Sequence, residues 1–228
     1  MFEIWLLLLL LPALAGLVAQ QLLRAAFARY RAIPNRFAAT GAEVARALLD
    51  AYGLRWVRIE LVPGALTDHY DGETRTLRLS PVVAHGRSVA ALGIAAHEVS
   101  HAWQHASGSE AYRFRQAVAE PLARLAPWSG FFLVGGFWLG IPILIALALA
   151  YVAGLVVFAL ATLPVELGAS RQALAVLERT RLADRRELAA VRRVLLAAAL
   201  TYVAGLLDRL GFFLALVFVA ETARSVAT

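Results

Sequence analysis

P142-I-L-I-A-L-A-L-A-Y-V-A-G-L-V-V-F-A-L-A-T-L163 runs directly into P164-V-E-L-G-A-S-R171, so a long uncharged stretch ends on a carboxylate and then an arginine. A helix that crosses a bilayer needs about 20 predominantly apolar residues, and this stretch supplies them. Two others do as well, Ile4 to Leu23 and Val194 to Val219. Trp128 to Leu139 reaches the length only when Pro121 to Pro127 is counted with it. The composition agrees: 61% of the 228 residues are hydrophobic and the mean hydropathy is +0.68, above the share of a soluble domain. A mostly α membrane protein with about four transmembrane helices is therefore expected, and Arg24 to Pro127 reads as its mixed, water-soluble part.

Charge and cysteine usage narrow the function. The net charge is +6, yet no basic stripe with interleaved aromatics appears, and nucleic acid is not an expected partner. The basic residues, all arginine, gather beside the apolar runs instead: Arg24, Arg29, Arg31 and Arg36 after the first, and Arg171, Arg179, Arg181, Arg185, Arg186, Arg192 and Arg193 before the last. That is the positive-inside pattern of a protein whose partner is the lipid bilayer. Cysteine is absent, which excludes disulfide scaffolds, thiol nucleophiles and cysteine-ligated zinc. Only Glu3, and no positive charge, precedes the first apolar run, so it reads as a retained membrane helix rather than a cleaved signal.

Within the soluble part, Val44, Ala45, Leu48 and Leu49 recur at helical spacing, and Gly53 is placed to end a helix over Gly41 to Tyr52. Trp56 to Val62, Ala65 to Tyr70 and Thr74 to Ser80 read as strands, with Val57/Ile59/Leu61 and Leu77/Leu79 alternating and Asp71-Gly72 signalling a hairpin. A small antiparallel sheet of two or three strands is expected. Ser88 can cap a helix from Val89 through His105, with one buried face and Gly108 beyond its end.

That helix carries H97-E-V-S-H101. Positions i and i+4 share a helix face, so His97 and His101 can each offer one nitrogen to a single zinc at about 2.1 Å. Glu98 is rotated about 100° from His97, beside the metal rather than on it, where a carboxylate can take the proton of a zinc-activated water attacking a peptide carbonyl. All five histidines lie between His69 and His105, a clustering that favours a site over a solvated polar helix. Eight residues of helix rise about 12 Å, so His105 cannot join His97 and His101 on one ion and is expected outside the ligand set. Glu166 is the better third ligand; its other reading is an acid in the first turn of a helix, favoured by the helix dipole.

H97-E-V-S-H101, the upstream L66-T-D-H-Y-D71 and L77-R-L-S-P81, and the downstream L163-P-V-E-L-G-A-S-R171 together resemble the YugP-type bacterial membrane-bound neutral zinc metallopeptidase family. A199-L-T-Y-V-A-G205 resembles its last membrane segment, so the likeness spans nearly the whole chain. The resemblance implies a zinc cofactor on His97, His101 and Glu166, with Glu98 as general base, in a small α+β zincin-like metalloprotease domain. The family pattern commonly has glycine in place of Ser100 and asparagine in place of His85. Asp68-His69-Tyr70 has two readings: His69 or Tyr70 donates to the oxyanion at a substrate-binding strand edge, or the cluster only caps the hairpin.

The expected organisation is an N-terminal transmembrane helix over 1–23, the zincin-like domain over 24–120, a transmembrane helical hairpin over 121–163 with its tip at Gly140-Ile141-Pro142, a cytoplasmic helix with the third ligand over 164–193, and a C-terminal transmembrane helix and tail over 194–228. The hairpin follows from the ligand set, since His97, His101 and Glu166 can meet only if the chain between them crosses an even number of times. The expected function is a multi-pass endopeptidase of the bacterial inner membrane, its active site facing the cytoplasm and both termini outside, acting on peptide or protein substrates that include membrane proteins. The alternative is a membrane protein that binds or transports zinc without proteolysis, which would have no need of Glu98. An intramembrane zinc site is disfavoured, because Val89 to Ala96 is too short to span and follows Arg87 and His85.

Overall fold

The structure is a computed structural model that describes residues 2–227; Thr228, expected to face outside, lies beyond them. Eight helices and three strands follow in the order α1 (Phe2–Arg31), α2 (Gly41–Ala51), β1 (Arg58–Leu61), β2 (His69–Asp71), β3 (Thr76–Leu79), α3 (Pro81–Ala84), α4 (Val89–Ala106), α5 (Glu110–Leu125), α6 (Ser129–Leu139), α7 (Pro142–Arg179) and α8 (Arg185–Ala227). The chain divides into two compact units, one of residues 1–19, 113–164 and 200–228, the other of 20–112 and 165–199.

The second unit holds the core and the histidines. Helix α2 opens on a capping box, in which the Thr40 hydroxyl accepts from Glu43 N and the Glu43 carboxylate accepts from Thr40 N. Its stripe Val44, Ala45, Leu48 and Leu49 is buried as its spacing implies, and Gly53 past its end has φ +73°. Helix α4 starts at Ser88, whose Oγ accepts from Ala91 N at 3.2 Å, and Gly108 beyond it has φ +67°. One buried face was the expectation for α4. Instead every residue from Val89 to Ala102 is buried, because α2, α3, β2 and β3 pack on it and Gly93 admits Val191 of α8, whose Cγ1 would stand 2.8 Å from any added Cβ.

The sheet has the order β1-β3-β2. β2 pairs with β3 antiparallel (Tyr70 opposite Leu77), but β1 pairs with β3 in parallel (Ile59 opposite Leu77), which corrects the wholly antiparallel expectation. β3 takes the centre because its Leu77 and Leu79 are fully buried, whereas Leu61 of β1 is 57% exposed. The loop 62–68 carries the chain past β3, with positive φ at Gly64 and Leu66 and no N–H at Pro63 to continue a ladder. β2 is thereby left at one edge of the sheet. The β2–β3 connection is not a two-residue Asp-Gly turn: Asp71 lies opposite Thr76, and its Oδ1 accepts from Glu73 N and Thr74 N.

In the first unit, α6 and α7 form a helical hairpin. Its tip falls where expected, with Gly140 in the left-handed region at φ 65°. The arms touch backbone to backbone at Gly136, where an added Cβ would lie 2.8 Å from Ile145 N. Among the described residues, three helices are long and apolar enough to cross a membrane, α1 (over Leu7–Arg31), α7 and α8 (over Arg185–Thr222). The expected first arm from about Leu122 passes through a 3-10 turn at Ala126–Trp128 into α6, whose 11 residues by themselves rise about 16 Å against a hydrocarbon core of about 30 Å. α7 in turn runs unbroken through Pro164, so Glu166 lies inside a helix and does not open one.

Candidate metal centre

His97 and His101 project from successive turns of α4, and Glu166 meets them from α7, within one compact unit. The two Nε2 atoms are 3.2 Å apart, and Glu166 Oε2 lies 3.3 Å from the first and 3.5 Å from the second. Ligands about 2.05 Å from a tetrahedral zinc stand about 3.3 Å from one another, so the triangle has the dimensions of three zinc ligands. All three residues are buried.

The contacts behind the rings decide what their inner nitrogens carry. Gln104, one turn beyond His101, donates through Nε2 to the Val165 carbonyl at 2.9 Å, which orients the amide and turns its Oε1 to His101 Nδ1 at 3.0 Å. His101 must therefore carry its proton on Nδ1, leaving an Nε2 lone pair toward Glu166. Ser170 Oγ meets His97 Nδ1 at 3.3 Å and can hold that ring in the same tautomer. With both rings in that neutral tautomer, two lone pairs and a carboxylate oxygen converge, an arrangement that a cation relieves. The donor set of two imidazoles and a carboxylate suits zinc. Gly168 lets the helices approach, since a Cβ there would lie 3.1 Å from Gln104 Nε2.

Glu98 is 8% exposed, next along α4. Burial pushes its carboxyl up to about 8, with the Glu166 and Asp68 carboxylates acting in the same direction and His97 and the Tyr70 backbone N–H opposing. Asp68 is anchored by Ser80, whose backbone N–H donates at 2.7 Å and whose hydroxyl donates at 3.1 Å. A buried carboxyl with a proton affinity near neutrality suits general acid–base work.

The other sequence candidates lie apart from the ligand triangle. His105 accepts or donates at Nδ1 to the Tyr70 hydroxyl at 3.0 Å and stacks on Tyr112 with centroids 5.3 Å apart. Burial, aided by Arg75, holds its imidazole below the usual value. His69 is exposed, and its Nδ1 donates to the Thr67 carbonyl at 2.8 Å. His85 is exposed at the end of α3. Gln104 escaped the sequence reading, although its position, three residues past His101 and seven past His97, places it on their helix face. Its partner, a main-chain carbonyl of α7, leaves no mark in sequence.

A family model described as "Putative neutral zinc metallopeptidase" matches residues 5–221. The chain is also 39% identical over 189 residues to a Bacillus subtilis (strain 168) protein described as "Putative membrane protease YugP", covering 83% of this chain and 84% of that one. No solved structure matches with significance.

Proposed function

We propose, from the premise that this chain belongs to the neutral zinc metallopeptidase family, that it is a membrane-anchored zinc-dependent endopeptidase. The observation that carries the reading is the triangle of His97 Nε2, His101 Nε2 and Glu166 Oε2 beside the buried carboxyl of Glu98. When bound there, zinc supplies Lewis acidity, which makes water acidic enough to ionise near neutrality and polarises a carbonyl. Glu98 takes the proton from the water as its oxygen attacks the peptide carbonyl carbon. It then gives that proton to the leaving nitrogen as the C–N bond breaks. His101 is kept in the correct tautomer by Gln104, and His97 by Ser170.

β2 is an edge strand that contacts α4, a position that suits an extended peptide lying beside it. For His69 and Tyr70 we propose that they shape this edge. The Tyr70 hydroxyl is engaged by His105, and a neutral His69 that donates from Nδ1 keeps only an acceptor at Nε2. Substrates are thus extended or unfolded segments of peptides and proteins, membrane proteins among them. Arginines flank the apolar runs on the side of the metal centre, which supports a cytoplasmic active site in the inner membrane.

The test is zinc content and casein-type peptide hydrolysis by the purified protein beside Glu98→Gln. The amide keeps the shape and cannot accept the proton, so zinc is retained while hydrolysis falls by about 10²–10⁴-fold. Equal hydrolysis by the two proteins would overturn the peptidase reading in favour of a zinc-binding or transport protein.

A further inference from the structure

A second polar feature lies away from the metal centre. A cavity of about 380 Å³ opens between the end of α1 and the start of α8, and Arg29, Arg186 and Arg193 all line it. Tyr30 arranges two of them: Arg193 Nη1 donates to its hydroxyl at 3.1 Å, and the Arg29 guanidinium lies 5.6 Å from its ring centroid.

Two acids stand near, and both are already committed. Glu187 accepts from Arg36 N at 2.7 Å and Asp184 N at 2.8 Å, and Asp184 accepts from Arg186 N and Glu187 N in a capping box. Among the described residues, none of the three guanidiniums forms a salt bridge with a carboxylate, so against three arginines the lining itself holds one acid, Glu187, and keeps a net positive charge. The Glu187 carboxylate is taken up by the Arg36 and Asp184 amides, and the rest of the wall beside Tyr30 is apolar, with Ile33, Val89, Ala189 and Ala190.

The position along the chain identifies the source of a compensating anion. Arg193 directly precedes the apolar run from Val194, while Arg29 and Arg186 stand about 9 and 12 Å of helix beyond Leu23 and Val194. Long arginine side chains at that depth reach the headgroup layer. Basic pockets at the ends of membrane helices suit phosphate headgroups. We propose that this cavity binds the phosphate of an acidic phospholipid, whose acyl chains follow the apolar surfaces of α1 and α8. The apolar wall and the helices that continue into the bilayer favour a lipid over a free phosphate ester.

The test uses the full chain, purified in neutral detergent and titrated with dihexanoylphosphatidylglycerol, dihexanoylphosphatidylcholine and glycerol 1-phosphate. Phosphatidylglycerol should bind at least about tenfold more tightly than either of the others. Combined Arg29→Gln and Arg186→Gln, both exposed positions, should weaken its binding by at least about tenfold. Arg55→Gln with Arg58→Gln, which removes the same charge outside the cavity, should leave it within about twofold. Should the double variant misfold, Arg186→Gln alone must still weaken phosphatidylglycerol. Undiminished binding by the cavity variants, or an equal loss in the control, would overturn the site. Glycerol phosphate binding as tightly as the lipid would overturn the lipid assignment.

Discussion

At the scale of single residues, the metal centre makes different demands on groups of similar chemistry. Glu166 supplies one corner of the ligand triangle, whereas His105 is held by Tyr70 and Tyr112. Glu166→Ala leaves two protein ligands, one fewer than catalytic zinc sites usually have, and should abolish stoichiometric zinc; His105→Ala should bind it nearly normally. Gln104 acts through His101, and Gln104→Leu should weaken zinc by about 10–100-fold; Gln104→Glu keeps an acceptor for Nδ1 but loses the donor to the Val165 carbonyl, and should recover only part of the loss. Competition with a chromophoric chelator measures each constant, and the absorption bands of the cobalt-substituted proteins report the ligand geometry independently of activity. The reverse ranking of Glu166 and His105 would break the proposed ligand set. His97, Glu98 and His101 were legible because their spacing alone puts them together on a helix. Gln104 was not, because its role depends on a carbonyl 61 residues away in sequence.

At the scale of elements, the β2–β3 hairpin depends on Asp71, which accepts from two turn amides and pairs with Arg78. The hydrogen bond from Arg78 is the main reason its carboxyl sits well below the ordinary 3.8. A carboxylate that is more acidic in the folded state adds stability above its unfolded value, and that stability is lost as pH falls through the range below 3.8. Asp71→Asn keeps the turn acceptor and loses the charge. It should lower the melting temperature near neutral pH, with the difference from the parent shrinking as the pH drops below about 4; a pH-independent difference would show that the ion pair contributes nothing. The helices α2 and α4 could be read from capping and periodicity, since both act within a few residues. The strand order could not: β3 lies between β1 and β2 because it buries both its leucines, a property of neighbours remote in the chain.

For the whole molecule, the chain leaves the unit of the metal centre after Tyr112 and re-enters it at Val165. If α7 crosses the bilayer, Ser107 and Arg181 lie on one side of it and Ile141, at the far end of the apolar half of α7, on the other. The parent chain has no cysteine, so single thiols give a clean map. Those at Ser107 and Arg181 should resist an impermeant reagent in intact cells, and one at Ile141 should react. Labelling that separates Ser107 from Arg181 would exclude a shared ligand set across the excursion.

The sequence by itself determined that the chain has long apolar helices, that three of its five histidines lie on one helix, and that a glutamate follows a long uncharged run, because composition, helical period and capping are local properties of the chain. Only the tertiary structure decided that Glu166 lies within an unbroken helix, that a 3-10 turn stands between the two helices before Gly140, and that Gln104 joins the two ligand-bearing helices. These depend on packing: Pro164 is accommodated inside α7 despite its missing N–H, and Gly168 has space for a side chain that only the fold brings to it.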